Sequence, residues 1–141
     1  MRKYLLLFLF CGANFFITVS AKDNIASYGS RPLNKVVREI AKLNVFDYSA
    51  NAATDKKASL QSSRYHELLK TAGTDDLVRL ASKHKNAVVR LYAYRAIVEK
   101  LKEIPKNILD QFNNDSTMVN TTRDGVAGKA TVKKIAGSLL Y

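Results

Sequence analysis

The stretch TDDLVRLASKHKNAVVRLYAYRAIVEKL, Thr74 to Leu101, holds two helix-period patterns separated by a polar break at Lys85 and Asn86. Leu77, Leu80, Ala81 and His84 fall along one side of the first; Val89, Ala93, Ala96, Ile97 and Leu101 fall along one side of the second. Spacings of three and four residues bring side chains onto one helix face, so each half buries a stripe. Together they predict a helical hairpin, the unit from which α-solenoids are stacked. Thr74 is placed to cap the first helix, and Asn86 the second. Asp75 and Asp76 lie in the first turn, where negative charge suits the helix dipole.

Outward from this centre the pattern stays helical. Pro32 suits a first helical turn, and Leu33, Val36, Val37, Ile40 and Ala41 follow at helix spacing. A looser helix is expected from Lys56 to Thr71, capped by Asp55 and stopped near Gly73. Pro105 ends or restarts a helix, after which Ile108, Leu109 and Phe112 form a short stripe. Residues 113–116 make a polar turn, those after it are placed to begin the second helix of another unit, and 120–128, with two glycines and little apolar content, read as a loop or an ill-formed helix. Val132, Ile135, Ala136 and Leu139 predict a terminal helix.

The central segment resembles a HEAT-type repeat. The likeness rests on the leucine-bearing first helix, the asparagine in the polar break, the Val89–Arg90 pair at the start of the second helix, and the small residues Ala93 and Ala96 where helices approach closely. It covers one unit, residues 75–101. More loosely, the chain resembles small secreted bacterial proteins that carry one such unit. The resemblance implies an all-α fold, a short HEAT-like α-solenoid or curved helical bundle. Residues 32–141 then form a single domain whose diverged flanks close the ends of the unit. It also implies that Arg90 bridges toward a neighbouring helix, with Asp75 or Asp76 as its partner.

The chain has 141 residues, with 47% hydrophobic and 25% charged, an ordinary globular balance. Its first 21 residues have the anatomy of a secretory signal peptide: Arg2 and Lys3, an apolar run from Tyr4 to Phe16, then Val19 and Ala21 at the cleavage-specifying places. An uncleaved anchor is disfavoured, because the apolar run is short and contains Gly12 and Asn14. Phe10 before Cys11 argues against lipidation at that cysteine. Residues 22–31 read as a flexible leader. Cleavage after Ala21 removes the single cysteine, so the mature chain relies on packing without disulfides. It also removes Arg2 and Lys3, leaving 21 basic against 12 acidic residues, a formal charge of +9.

Motifs for chemistry are scarce. His66 and His84 are eighteen residues apart and fit no metal-ligand spacing. The adjacent Asp75 and Asp76 are explained by helix capping, and the Gly125–Thr131 segment lacks phosphate-loop spacing. Ser62 and His66 lie four apart, without an indicated oxyanion site. No cofactor and no metal follow from the sequence.

The expectation is therefore an exported, periplasmic or extracellular, non-enzymatic binding or scaffold protein. Its partner is a protein or an acidic cell-envelope component, and export argues against nucleic acid despite the positive charge. The interaction surface is expected at Arg79, Lys83, Arg90, Tyr94 and Arg95, and a structural network at Asp75, Asp76 and Arg90. An envelope enzyme built around His66 or His84 and a purely structural accessory module are the alternatives.

Overall fold

The computed structural model describes residues 31–51, 59–101 and 103–141. The signal segment 1–21, the leader up to residue 30 and the expected cap Asp55 lie outside the described residues.

Helix α1, Arg31–Leu43, buries Leu33, Val36, Val37 and Ile40 and leaves Arg38 and Lys42 in solvent. It stops at Asn44, whose φ of 49° is left-handed and whose N–H reaches the Ile40 carbonyl at 3.1 Å. Strand β1, Val45–Asp47, leaves directly from this turn and runs into a 3-10 turn at Tyr48–Asn51. Helix α2, Leu60–Thr71, is capped by Ser59, which accepts the Ser62 N–H. It therefore starts four residues later than the Lys56 expected from sequence.

Helices α3, Thr74–Lys83, and α4, Ala87–Lys100, form the central antiparallel pair. Asn86 caps α4, its side-chain oxygen accepting from Val88 N at 2.9 Å and Val89 N at 3.1 Å. Helix α4 is not a one-sided amphipathic helix. Val88, Val89 and every residue from Leu91 to Ile97 are buried, because α1, α2, α3, α6 and β1 surround it. Each fully buried aliphatic or aromatic side chain contributes about 1.5–3 kcal/mol over its exposed state. Tyr92 packs on Phe46 and Tyr65 at centroid distances of 4.9 and 5.7 Å, and Tyr94 stacks on Phe112 at 4.3 Å.

After helix α5, Lys106–Asn114, the chain departs from the all-α expectation. Residues Met118–Arg123 and Val126–Thr131 are strands β2 and β3, followed by helix α6, Val132–Ser138. Asp124 and Gly125, at φ 51° and 80°, make the two-residue turn between them. Both positive φ values suit the mirror-image turn that matches strand twist. Strand β2 pairs antiparallel with β3 and parallel with β1, Val45 opposite Asn120, giving the order β1-β2-β3.

The fold is thus α/β, with helices and a three-stranded mixed sheet among the described residues. The α-solenoid and the all-helical bundle are both overturned. Their physical failure is that residues 118–131, expected as loop and helix start, form two strands instead, with β2 pairing to β1 on one side and to β3 on the other. Phe46, Val119 and Thr121 turn inward to the helices. Met118, Asn120, Ala127 and Lys129 lie on the opposite, solvent-facing side.

Candidate binding cleft

The polar break between α3 and α4 meets the start of β2 and the middle of β3 at a cleft of about 400 Å³. Asn44, Lys85, Asn86, Arg90, Asn120 and Lys129 supply its polar walls. Each is held there by local structure. Asn86 is fixed as the α4 cap, and its amide donates to Asn44 Oδ1 at 2.9 Å, tying the cap to the end of α1. The Asn86 N–H donates to His84 Nδ1 at 3.2 Å, which makes that nitrogen an acceptor. Burial, with Lys85 and Arg90 nearby, pulls the His84 pKa below its ordinary value, even though the Asn86 contact opposes this.

Arg90 forms the floor. Its guanidinium donates to the His84 and Lys85 carbonyls at 3.2 and 3.4 Å and to Asp115 Oδ2 at 2.6 Å. Asp115 Oδ1 accepts the Thr117 N–H at 2.9 Å, while its carbonyl accepts the Lys133 N–H. Burial pushes the Asp115 carboxyl upward, but the Thr117 and Arg90 contacts outweigh it, and the net shift is downward. Lys85 and Lys129 are exposed and make no ion pair among the described residues. Among the described residues, no carboxylate lines the cleft.

A second, shallower depression of about 560 Å³ lies on the outer face of the sheet, lined by Val45, Thr122, Ala127 and Gly128. It shares Asn120 and Lys129 with the first.

The residues expected to form an interaction face do not lie on one. Arg79 is exposed and pairs with Asp76 at 2.6 Å within α3, and Lys83 is exposed at the end of that helix. Tyr94 is fully buried against Phe112, and burial raises its pKa. Arg95 is 4% exposed, with its guanidinium over the Tyr65 ring at 4.6 Å and a donor 3.4 Å from the Asp47 carbonyl. Of the five, only Arg90 reaches the cleft. In the expected network, Arg90 does bridge between elements, but to Asp115 rather than Asp75 or Asp76. Asp76 is engaged by Arg79, and Asp75 is exposed.

Sequence reading missed a buried polar clamp around Asp47. Its N–H donates to the Tyr92 hydroxyl at 2.9 Å, its carboxylate accepts from Ser49 N at 2.9 Å and from the Ser59 hydroxyl, and its carbonyl takes Arg95. The Tyr65 hydroxyl donates to Glu99 at 2.5 Å, and burial raises the Tyr65 pKa strongly. Asp47 and Arg95 lie 48 positions apart, and no spacing rule connects them. Asp47 is 2% exposed, so the clamp joins β1 to α2 and α4 and has no open face for a ligand.

His66 is exposed on α2, on a different element from His84. Among the described residues, no three His, Cys, Asp or Glu side chains gather as they would around a metal ion. No helix among them is long and apolar enough to cross a membrane. No family model, curated protein or solved structure matches the chain.

Proposed function

We propose that this is an exported, non-enzymatic binding protein that takes an acidic partner, a protein segment or a cell-envelope polymer, in the cleft between α4 and the β2–β3 hairpin. The observation that carries this reading is the cleft lining, with Lys85, Arg90 and Lys129 as its charged members and no carboxylate among the described residues. Arg90 is already paired with Asp115, so among the described residues Lys85 and Lys129 are the cleft cations free to meet a ligand. The signal-like segment 1–21 supports a location outside the cytoplasm, where acidic polymers and exported proteins are the partners at hand.

The test is binding of polyglutamate by fluorescence anisotropy at low and high salt. Each exposed ion pair is worth about 0.2–1 kcal/mol, and reversal replaces attraction by repulsion. A Lys85→Glu, Lys129→Glu double variant is therefore expected to weaken binding about tenfold. A Lys70→Glu, Lys83→Glu double variant, matched in charge and outside the cleft, serves as the control and leaves it nearly unchanged. Equal losses in the two variants would assign the effect to net charge and remove the cleft from the account.

A further inference from the structure

The two edges of the sheet are finished differently. Alternate residues of a strand direct their backbone groups to opposite sides. On β1, Val45 and Asp47 point away from β2, and side chains close that edge. Gln61 Nε2 donates to the Val45 carbonyl at 2.6 Å, the Tyr92 hydroxyl accepts the Asp47 N–H, and Arg95 donates to the Asp47 carbonyl. On β3 the parity follows from the two-residue turn and from the Val132 N–H on the Thr117 carbonyl at 2.9 Å. Val126, Gly128 and Ala130 face β2. Ala127 and Lys129 present two N–H and two carbonyl groups outward, and these have no partner among the described residues. Residues Val126 to Lys129 are all exposed, with Val126 at 72%.

We infer that the outer edge of β3 accepts an extended acidic segment of another polypeptide as a fourth strand. The inference rests on the acidic-partner reading above and adds the mode of binding. Main-chain bonds to Ala127 and Lys129 supply the affinity of strand addition, and side chains on alternate faces supply its selectivity. On the solvent face the added strand lies beside Lys129, which selects acidic residues there. On the other face it lies beside the exposed Val126, which selects an apolar residue. Charge also argues against a second copy as occupant. Edge-to-edge pairing would join two mature chains of formal charge +9 and place Lys129 of each in the shared ladder.

The probe is a labelled peptide of alternating glutamate and valine, titrated into the full mature chain. The key variant is Ala127→Pro. It removes one outward N–H and places a ring in the path of the added strand, and it leaves the β2–β3 ladder whole because that N–H faces away from β2. Saturable binding is expected, lowered tenfold or more by Ala127→Pro, with unchanged circular dichroism. The wild type is expected to lose the same affinity toward a peptide N-methylated on alternate residues, a comparison that needs no folded variant. Binding that survives both changes but is lost in Lys129→Glu would overturn strand addition and leave the acidic-cleft reading standing. No binding of the peptide by the wild type would overturn it too, with polyglutamate binding deciding the broader reading separately. A wild-type dimer in sedimentation that Ala127→Pro dissolves would assign the edge to a second copy and likewise overturn the inference.

Discussion

Replacing Arg90 by alanine removes the contact that ties the start of α4 to the segment entering β2. Arg90 and Asp115 meet at 2.6 Å with 14% of each side chain exposed, so solvent screens the pair only weakly. Removing one partner of a part-buried, charge-assisted hydrogen bond costs about 1.5–3 kcal/mol. Asp115 keeps its Thr117 contacts, which places this case near the middle, about 2 kcal/mol. With a urea m-value of about 2 kcal/mol/M, the unfolding midpoint falls by about 1 M. A double-mutant cycle with Asp115→Ala isolates the pair, and its expected coupling is about 1.5–3 kcal/mol. Cycles of Arg90→Ala with Asp75→Ala and with Asp76→Ala are expected to couple by less than about 0.5 kcal/mol. The folded pKa of Asp115 is depressed, so the pair's contribution is fully present above the ordinary value of 3.8 and is lost as pH falls through the lower folded value. A coupling near zero with Asp115, or a larger one with Asp76, would refute the reasoning.

Two further substitutions probe the neighbouring structure. Tyr92→Phe keeps the ring packed on Phe46 and Tyr65 but leaves the buried Asp47 N–H without its acceptor, at a cost of about 1–3 kcal/mol in urea unfolding; a loss below about 0.5 kcal/mol would mean the hydroxyl does not secure β1. His84 has a depressed folded pKa, so the unfolded chain takes up its proton first, and stability falls as pH drops below 6.5 toward the folded value. His84→Asn retains an acceptor for the Asn86 N–H and is expected to flatten that part of the stability–pH curve; an unchanged slope would place the titration elsewhere.

The helical half of the molecule was legible because local spacing determines it. Leu33 to Ile40, Leu77 to Ala81, and the Asn86 cap all follow from three- and four-residue periods and cap chemistry. Helix α4 was legible as a helix but not as a buried one. Tyr94 and Arg95 read as surface residues, and their burial depends on Phe112 and on Asp47 with Tyr65, none of them local in sequence. The sheet does carry a local signal. Asp124-Gly125 is a two-residue turn pair, and Val119 and Thr121 alternate with polar neighbours before it. Small residues at Ala127, Gly128 and Ala130 weakened the strand signature. The cleft had no signature at all, because Lys85 and Lys129 converge only through the pairing of β3 with β2 and of β2 with β1.

That pairing also fixes when the molecule can be completed. Val45 and its partner Asn120 are separated by helices α2 to α5, so the first strand is synthesised long before the strand it needs. The α3–α4 pair has all its residues close together and can form early, whereas the sheet must wait for residues 118–131. A product ending after α5 would keep Phe46 packed on Tyr92 but leave the β2-facing edge of β1 without a partner strand. The sheet therefore closes late, and until it does the bare edge of β1 is a template for pairing with other chains.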